Sequence, residues 1–239
     1  MGDTFSGFFS AHGGGADYDF VVRRLAVIFR EQGVIPSGDS LVNQQAVPVR
    51  TVGLIFGRPA CKVIKEELLQ DREYQKLRTG RNVELFYMGF ADPDEEFLPV
   101  GVFDENDFSQ ESFVSAVQDF ESKTSWCYSG GTDLLLLSSW CSPKGNVYLD
   151  FSCALVLNLE DAIESKLVKS ARSLLEEIIR QSSTSPAADV VMRVSDAVFL
   201  RSARKSLMTW AMSLLKLKPE DLENSYRSCV RDVSRPAPR

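Results

Sequence analysis

The chain has 239 residues, of which 44% are hydrophobic, 10% aromatic and 25% charged, and its net charge is −6 at pH 7. This composition is typical of a globular protein and excludes the disordered and fibrous classes. No apolar run reaches the roughly 18 residues of a membrane-spanning helix, and residues 1–15 lack the basic and then apolar order of a signal peptide, so we expect a cytoplasmic protein without a membrane span.

The cysteine and histidine content limits the chemistry that the chain supports. The five cysteines are an odd number without a C-x-x-C pair, and His12 is the only histidine. A disulfide framework and a Cys/His zinc site are therefore disfavoured. The chain also contains no G-x-S-x-G nucleophile motif, no P-loop motif and no G-x-G-x-x-G motif, which removes the common hydrolase and nucleotide-binding signatures.

Charge is distributed unevenly along the chain. Residues 91–122 carry ten acidic residues and no Lys or Arg, whereas residues 187–239 carry ten Lys or Arg and six acidic residues. A nonspecific nucleic-acid-binding protein usually has a strongly basic domain, so nucleic acid is a disfavoured partner for this acidic chain. The acidic stretch is interpreted either as a solvated loop or as a surface that pairs with the basic segment, within one chain or between two.

The chain order divides into four parts. Residues 1–17 form a Gly-rich leader, and residues 18–45 form an N-terminal helix and a polar connection. The helix is predicted because apolar residues recur at helical spacing ahead of a glycine stop. An α/β core domain follows over residues 46–182, and residues 187–239 form a C-terminal helical segment that packs on it.

The core is predicted to alternate strands and helices. The strands are bounded by turn residues and are rich in β-branched and aromatic residues, whereas the helices show apolar positions three or four residues apart. The predicted strands cover residues 51–56, 83–91, 134–139 and 147–157. The predicted helices cover residues 61–77, 109–123, 160–181 and, within residues 187–239, 190–217.

The order of these elements indicates the fold class. Right-handed crossovers predict that the first three strands are mutually parallel, and a hairpin adds an antiparallel fourth. The order of strand, helix, strand, helix, strand, strand and helix resembles that of the thioredoxin-like fold. We therefore expect an α/β protein with a mixed four- to five-stranded sheet in thioredoxin-like element order, flanked by N- and C-terminal helices.

The junction of the first strand and helix is where thioredoxin-like proteins keep their chemistry. Here the sequence 56–62, FGRPACK, resembles the redox motif with Arg58 in place of its first cysteine. Cys61 would lie at a helix N-terminus, which lowers the pKa of a thiol, and it is the candidate for a reactive thiol. Because disulfide exchange needs a second thiol, the alternative is that Cys61 is a small, partly buried residue of the first helical turn.

Acidic residues follow the second strand and form the best enzyme-like pattern in the chain. Asp92, Asp94 and Glu95 would lie at the carboxyl end of that strand, where carboxylates two residues apart can share a Mg²⁺ ion. The pattern resembles the metal site of Toprim-type nucleases and primases, although the glutamate after an earlier strand is missing from residues 54–61. The alternative is an acidic surface turn.

A glycine-containing stretch precedes the third strand. Residues 129–133, SGGTD, resemble the phosphate loop of ATP-pyrophosphatase-type enzymes, in which glycine amides hold phosphates. That loop should lead into a helix, whereas a strand is predicted from residue 134, so a Gly-Gly turn is the alternative. Asp133 would begin a strand and Asp92 would follow one, which places them at opposite edges of a parallel sheet.

The C-terminal helical stretch, residues 187–239, contains a basic amphipathic pattern that is a candidate partner-binding surface. An alternative is that its apolar face packs on the core. The pattern combines basic residues with large flexible and aromatic ones: Arg201, Arg204, Lys205, Met208, Trp210 and Met212.

These observations favour a non-catalytic protein-binding or regulatory protein that acts through protein contacts, possesses no cofactor and associates with a protein partner or with itself. The alternative is a Mg²⁺-dependent enzyme acting on a nucleotide or nucleic acid through Asp92 and Asp94, assisted by Glu95 or Asp133.

Overall fold

A mixed sheet with helices on both faces forms the centre of the molecule. The computed structural model describes residues 17–33, 47–71, 78–79, 82–90, 108–142, 144–187, 189–198 and 230–234. The four main strands are β1 (Val47–Phe56), β2 (Val83–Tyr87), β3 (Asp133–Cys141) and β4 (Val147–Asn158), and they lie in the order β2-β1-β3-β4. The predicted α/β class with a mixed sheet is therefore confirmed.

The direction of β3 differs from the prediction. β1 and β2 are parallel, with Thr51 opposite Val83, but β3 runs antiparallel to β1, with Phe56 opposite Asp133. β4 is antiparallel to β3 and therefore runs in the direction of β1. The prediction of three mutually parallel strands is wrong, because the chain between β2 and β3 doubles back before β3 begins.

Helix α1 (Tyr18–Glu31) and helix α2 (Gln110–Lys123) cover one face of the sheet. Each begins where a side chain accepts a hydrogen bond from the first turn: Asp17 from Phe20 N at 2.7 Å, and Ser109 from Ser112 N at 3.2 Å. Such caps satisfy backbone donors that a helix leaves unpaired at its start. The core on this face is rich in aromatic residues, including Phe29, Phe56, Phe86, Phe113, Phe120 and Trp126.

The opposite face is covered by shorter and less regular helical pieces. These are a π-helical turn (Ile64–Leu68), helix α3 (Leu159–Glu164), helix α4 (Ala171–Thr184) and the helical residues 189–198. Its core is mainly aliphatic and includes Ile55, Ile64, Leu68, Leu134, Leu136, Leu155, Leu157, Leu174, Ile178, Val190 and Val194.

Two helices predicted as continuous are interrupted. After Cys61 the chain is helical but irregular: two α-helical residues lead into the π-helical turn and then a 3₁₀ turn (Leu69–Asp71), so the helix predicted over 61–77 is distorted in its described part. The predicted helix over 160–181 breaks between α3 and α4, where Lys166 adopts a left-handed conformation with φ of 60°. Ser170 and Ser173 then form a capping box that starts α4 afresh.

The last described stretch, residues 230–234, returns to the sheet; we call it the C-terminal segment. Val230 and Arg231 pair antiparallel with Leu155 and Ala154 of β4. Among the described residues, none of the helices has both the length and the apolar character needed to cross a membrane.

Candidate functional site

One edge of the sheet gathers the ends of three strands and the start of a fourth; we call it the carboxyl edge. β1 ends at Phe56, which lies opposite Asp133 at the start of β3, and Asp133 in turn lies opposite Asn158 at the end of β4. β2 ends at the same edge, with Tyr87 opposite Ile55. In open α/β sheets, ligands usually bind outside the carboxyl ends of the strands, so this edge is the candidate site.

The position of Asp133 corrects one sequence-based expectation. Asp133 begins β3 at the edge where β2 ends, so the prediction of opposite edges for the start of β3 and the end of β2 is wrong. Asp92, Asp94 and Glu95, the predicted metal ligands, lie outside the described residues.

The Asp133 carboxylate is the centre of a hydrogen-bond network. Its Oδ1 accepts from Ser129 Oγ at 2.5 Å and from Asn158 Nδ2 at 3.2 Å, and its Oδ2 accepts from the Ser129 amide at 2.9 Å. Asp133 is only 2% exposed, and a buried carboxylate needs such donors because its charge is otherwise poorly solvated. The carboxylate therefore holds the turn before β3 against the end of β4.

The Ser129 hydroxyl is saturated by its neighbours. It donates to Asp133 and accepts from the Gly131 amide at 3.2 Å and from Asn158 Nδ2 at 2.8 Å. A hydroxyl has one proton to donate and two lone pairs. Ser129 therefore fills a structural position in this turn and has no remaining capacity for a substrate.

Glu160 holds the same turn from the other side. Its Oε1 accepts from Thr132 Oγ1 at 2.6 Å, and its Oε2 accepts from the Thr132 amide at 2.7 Å. Asn158, which donates to the Asp133 network, also caps α3 by accepting from the Asp161 amide at 2.8 Å. The turn before β3 and the start of α3 therefore form one hydrogen-bonded unit.

The two glycines of this turn are required for different reasons. Gly130 has a φ of +93°, a conformation that L side chains rarely adopt. At Gly131 an added Cβ would lie 2.8 Å from Asn158 Nδ2 and 3.0 Å from Glu160 Oε2. The S-G-G-T-D sequence thus forms a tight turn that enters a strand directly, unlike the strand-to-helix context of the phosphate loop that it resembles.

Tyr128 closes the network on its outer side. Its hydroxyl donates to the Gly131 carbonyl at 2.7 Å, and its ring packs edge-on against Phe113 with centroids 5.3 Å apart. Burial, followed by the nearby Cys61 thiol, raises the pKa of Tyr128 well above its usual range, although the positive charge of Arg58 acts in the opposite direction. The phenol therefore remains a hydrogen-bond donor at physiological pH.

Cys61 lies beside this network, half-buried in the turn after β1. Its amide donates to the Arg58 carbonyl at 2.9 Å, and its carbonyl accepts from the Lys65 amide at 3.0 Å. The guanidinium of Arg58 lies over the ring of Phe113, 5.8 Å from its centroid. Arg58, which stands where the redox motif that the sequence resembles has its first cysteine, therefore packs on an aromatic ring.

A second charged cluster lies at the opposite edge, where β1 and β2 begin; we call it the amino edge. Arg50, 4% exposed, bonds the Glu84 carboxylate at 2.9 Å and the Val83 carbonyl at 3.1 Å. Burial lowers the pKa of the Arg50 guanidinium, and the Glu84 charge partly offsets this effect. Ser139 of β3 donates to the Arg50 carbonyl at 2.9 Å, so three strands meet at this pair.

The described residues contain no group of three or more His, Cys, Asp or Glu side chains arranged to hold a metal ion. The predicted partner-binding residues lie outside the described part of the chain: Arg201, Arg204, Lys205, Met208, Trp210 and Met212. At the carboxyl edge the sequence analysis missed Tyr128, Asn158 and Glu160. Only Asn158 carried a signal, because Asn is a preferred N-cap residue directly ahead of a helix.

Comparison of the chain with protein-family models, with curated proteins and with solved structures finds no match in any of the three.

Proposed function

We propose that this chain is a non-catalytic protein-binding or regulatory protein that acts through contacts with a protein partner or with a second copy of itself. One observation carries the proposal. The carboxylates of Asp133 and Glu160, which lie where an α/β enzyme would place its reactive groups, accept hydrogen bonds from the turn before β3. They stabilise the loop between α2 and β3.

The physical argument concerns the capacity of these groups. A general base or metal ligand must offer a lone pair to the substrate or ion. Asp133 already accepts three hydrogen bonds, and Ser129 has used its proton and both lone pairs. Recruiting Ser129 for catalysis would require the turn to give up bonds that hold it in place. Asp133 keeps one acceptor site on Oδ2, but its side chain is almost completely buried and little of it is open to a substrate.

The proposal also includes an arrangement of the fold, a location and a partner surface. We infer a thioredoxin-like arrangement from the order β1, helical turn, β2, α2, β3, β4 and C-terminal helices, with the redox chemistry lost at Arg58. A cytoplasmic location and self-association also belong to this proposal. The surface that we expect to meet the partner is the basic amphipathic stretch of Arg201, Arg204, Lys205, Met208, Trp210 and Met212.

Affinity purification of the full chain from its native cell, followed by mass spectrometry, tests the proposal. We expect a protein to co-elute in stoichiometric amount and to be lost in the double variant Trp210→Ala/Met212→Ala. Met192→Ala is the matched control, because Met192 is an exposed methionine (49%) on the neighbouring helical residues. Retention of the partner by the double variant would rule out this surface, and co-elution of only a small molecule or nucleic acid would contradict the proposal.

The second candidate is a Mg²⁺-dependent enzyme acting on a nucleotide or nucleic acid through Asp92, Asp94 and Glu95. It is favoured by the antiparallel direction of β3, which places Asp133 at the edge where β2 ends. Titration calorimetry with Mg²⁺ and Mn²⁺ separates the candidates. The enzyme requires a binding heat that Asp92→Ala/Asp94→Ala abolishes, whereas the protein-binding function requires none.

A further inference from the structure

The C-terminal segment lies along the side of β4 that faces away from β3, and it is held there by contacts with β4 and with the loop after α2. Val233 donates its amide proton to the Phe151 carbonyl of β4 at 2.8 Å, and its carbonyl accepts from the Ser125 amide at 3.0 Å. Both backbone polar groups of Val233 are thus paired, one to the sheet and one to the loop after α2. We call the space between β4 residues 151–155 and this loop the edge groove.

The side chain of Val233 anchors the segment. It is fully buried and belongs to the aromatic-rich core that contains Leu25, Phe120 and Trp126. Asp232 and Ser234 on either side are exposed. One inward side chain between two outward ones is the alternation that a single added β-strand presents to a sheet.

The loop that forms the far wall is shaped by its own hydrogen bonds. Thr124 Oγ1 donates to the Phe120 carbonyl at 2.6 Å and accepts from the Trp126 amide at 3.2 Å. These bonds end α2 and leave the Ser125 amide directed at the Val233 carbonyl. The wall is therefore held to the end of α2 by its own hydrogen bonds, in addition to the bond from Ser125 to the segment.

The segment also carries its own turn. Asp232 Oδ1 accepts from the Ser234 amide at 2.8 Å and from the Ser234 hydroxyl. Such an Asx turn forms from adjacent residues alone. These bonds join residues within the segment itself, on either side of Val233.

We propose that the edge groove is a docking site for an extended peptide segment with a β-branched aliphatic anchor, and that the chain's own residues 230–234 occupy it as an intramolecular competitor. This inference rests on the proposed protein-binding function and names the kind of partner segment that the groove fits. Binding would add a strand to β4, a mode in which main-chain hydrogen bonds supply affinity and a side-chain pocket supplies specificity.

The edge location explains why the segment would be displaceable. Its strand pairing covers only two residues of β4, Ala154 and Leu155, whereas β3 pairs with β4 along nearly its whole length. A competing strand would need to replace these two pairs, the bonds of Val233 and one buried side chain. The rest of the sheet would keep its register.

A fluorescent peptide of residues 228–239, with Cys229→Ser to prevent oxidation, tests the proposal on the full chain. In the Val233→Asp chain the segment carries a charge that the apolar core disfavours, so the groove should be open and bind the peptide. The wild-type chain should bind at least about tenfold more weakly, because its groove is available in only a minor fraction of molecules. A peptide carrying Val233→Asp should bind neither chain.

Equal binding by the wild-type and Val233→Asp chains, or no binding by a Val233→Asp chain that melts cooperatively, would overturn the proposal. If that chain does not fold, Val233→Ala replaces it, and binding no stronger than wild type would overturn the proposal. A two-chain mass by light scattering that disappears in the Val233 variant would assign the groove to a second copy and overturn the intramolecular occupant. The assay contains only this chain and its own peptide. A negative result would therefore count against the edge groove and would leave the proposed protein-binding function to the affinity purification.

Discussion

The two edges of the sheet solve the problem of buried charge in different ways. At the amino edge, Arg50 and Glu84 come from neighbouring strands and form a pair in which the guanidinium is almost completely buried. At the carboxyl edge, Asp133 is buried but has no cationic partner in its network; hydroxyl, amide and side-chain amide groups from nearby turns surround it. One edge relies on opposite charges, and the other relies on neutral donors.

This difference indicates what each edge contributes. An ion pair buried between strands is strongly destabilising to break, because the remaining charge is left without compensation. A carboxylate held by neutral donors at a partly exposed turn loses less, since water can replace several of its partners. The amino edge is therefore expected to secure the pairing of β1 with β2, and the carboxyl edge to set the shape of a surface loop.

The largest effect is expected at the amino edge. Arg50→Ala removes the charge that compensates Glu84 and should lower the free energy of unfolding by about 3 kcal/mol. Denaturant unfolding of Arg50→Met, Glu84→Gln and the double variant would measure the coupling. A double variant that is no more stable than Arg50→Met would show that the ion pair is not the source of the effect.

A smaller loss is expected at the carboxyl edge. Asp133→Ala leaves the Ser129 and Asn158 donors without their acceptor, but Ser129 is exposed, so we expect a loss of about 1 to 2 kcal/mol. Asp133→Asn is the matched control because it keeps one acceptor oxygen at the same position. A loss as large as that of Arg50→Ala would remove the distinction between the edges.

Alkaline pH should act on the carboxyl edge through Tyr128. The phenol of unfolded tyrosine ionises near pH 10, whereas burial raises the pKa of Tyr128 in the native state. Above about pH 10 the unfolded state therefore binds fewer protons than the native state, and stability falls as pH rises. Burial also raises the pKa values of Tyr18, of the half-buried Cys153 and of the buried Cys141, which act in the same direction.

Tyr128→Phe should make the urea midpoint less sensitive to pH between about 9 and 11. Tyr148→Phe is the control, because Tyr148 is 50% exposed and projects from β4. An unchanged pH profile in Tyr128→Phe would show that Tyr128 does not contribute and that Tyr18 and the thiols account for the alkaline loss.

The smallest effect is expected at Cys61. Cys61→Ser should change the free energy of unfolding by no more than about 0.5 kcal/mol, and it should leave partner binding and oligomeric state unchanged. The wild-type chain should not catalyse dithiol-dependent insulin reduction, because Arg58 cannot serve as the second thiol. Turnover in that assay that is lost in Cys61→Ser would restore a redox function at the carboxyl edge.

The sequence predicts the elements whose signals are local. The apolar stripe of α1, the Ser109 cap of α2, and the hairpin of β3 and β4 each involve residues close together in the chain. Periodicity and capping depend on local geometry, so the sequence is sufficient there. The break at Lys166 is less visible because a lysine in the left-handed conformation has no glycine or proline to mark it.

The direction of β3 and the composition of the carboxyl edge depend on tertiary structure. The crossover rule assumes that the chain returns to the starting edge along a helix. Here α2 starts beside the end of β2, because the Ser109 amide donates to the Gly89 carbonyl at 2.8 Å. After α2 ends, Tyr128 packs against Phe113, which lies in the first turn of α2. The loop after α2 retraces the helix, and no periodic signal distinguishes such a return from a simple connection.

The burial of Val233 also has a consequence for how the protein is made. Val21 precedes every strand of the sheet and Val233 follows every main strand, yet both belong to the same aromatic-rich core. During synthesis, α1 and the sheet emerge while the position of Val233 is still empty. A growing chain would therefore expose one side of an aromatic core beside an unpaired strand edge, a combination that attracts chaperones and other nascent chains.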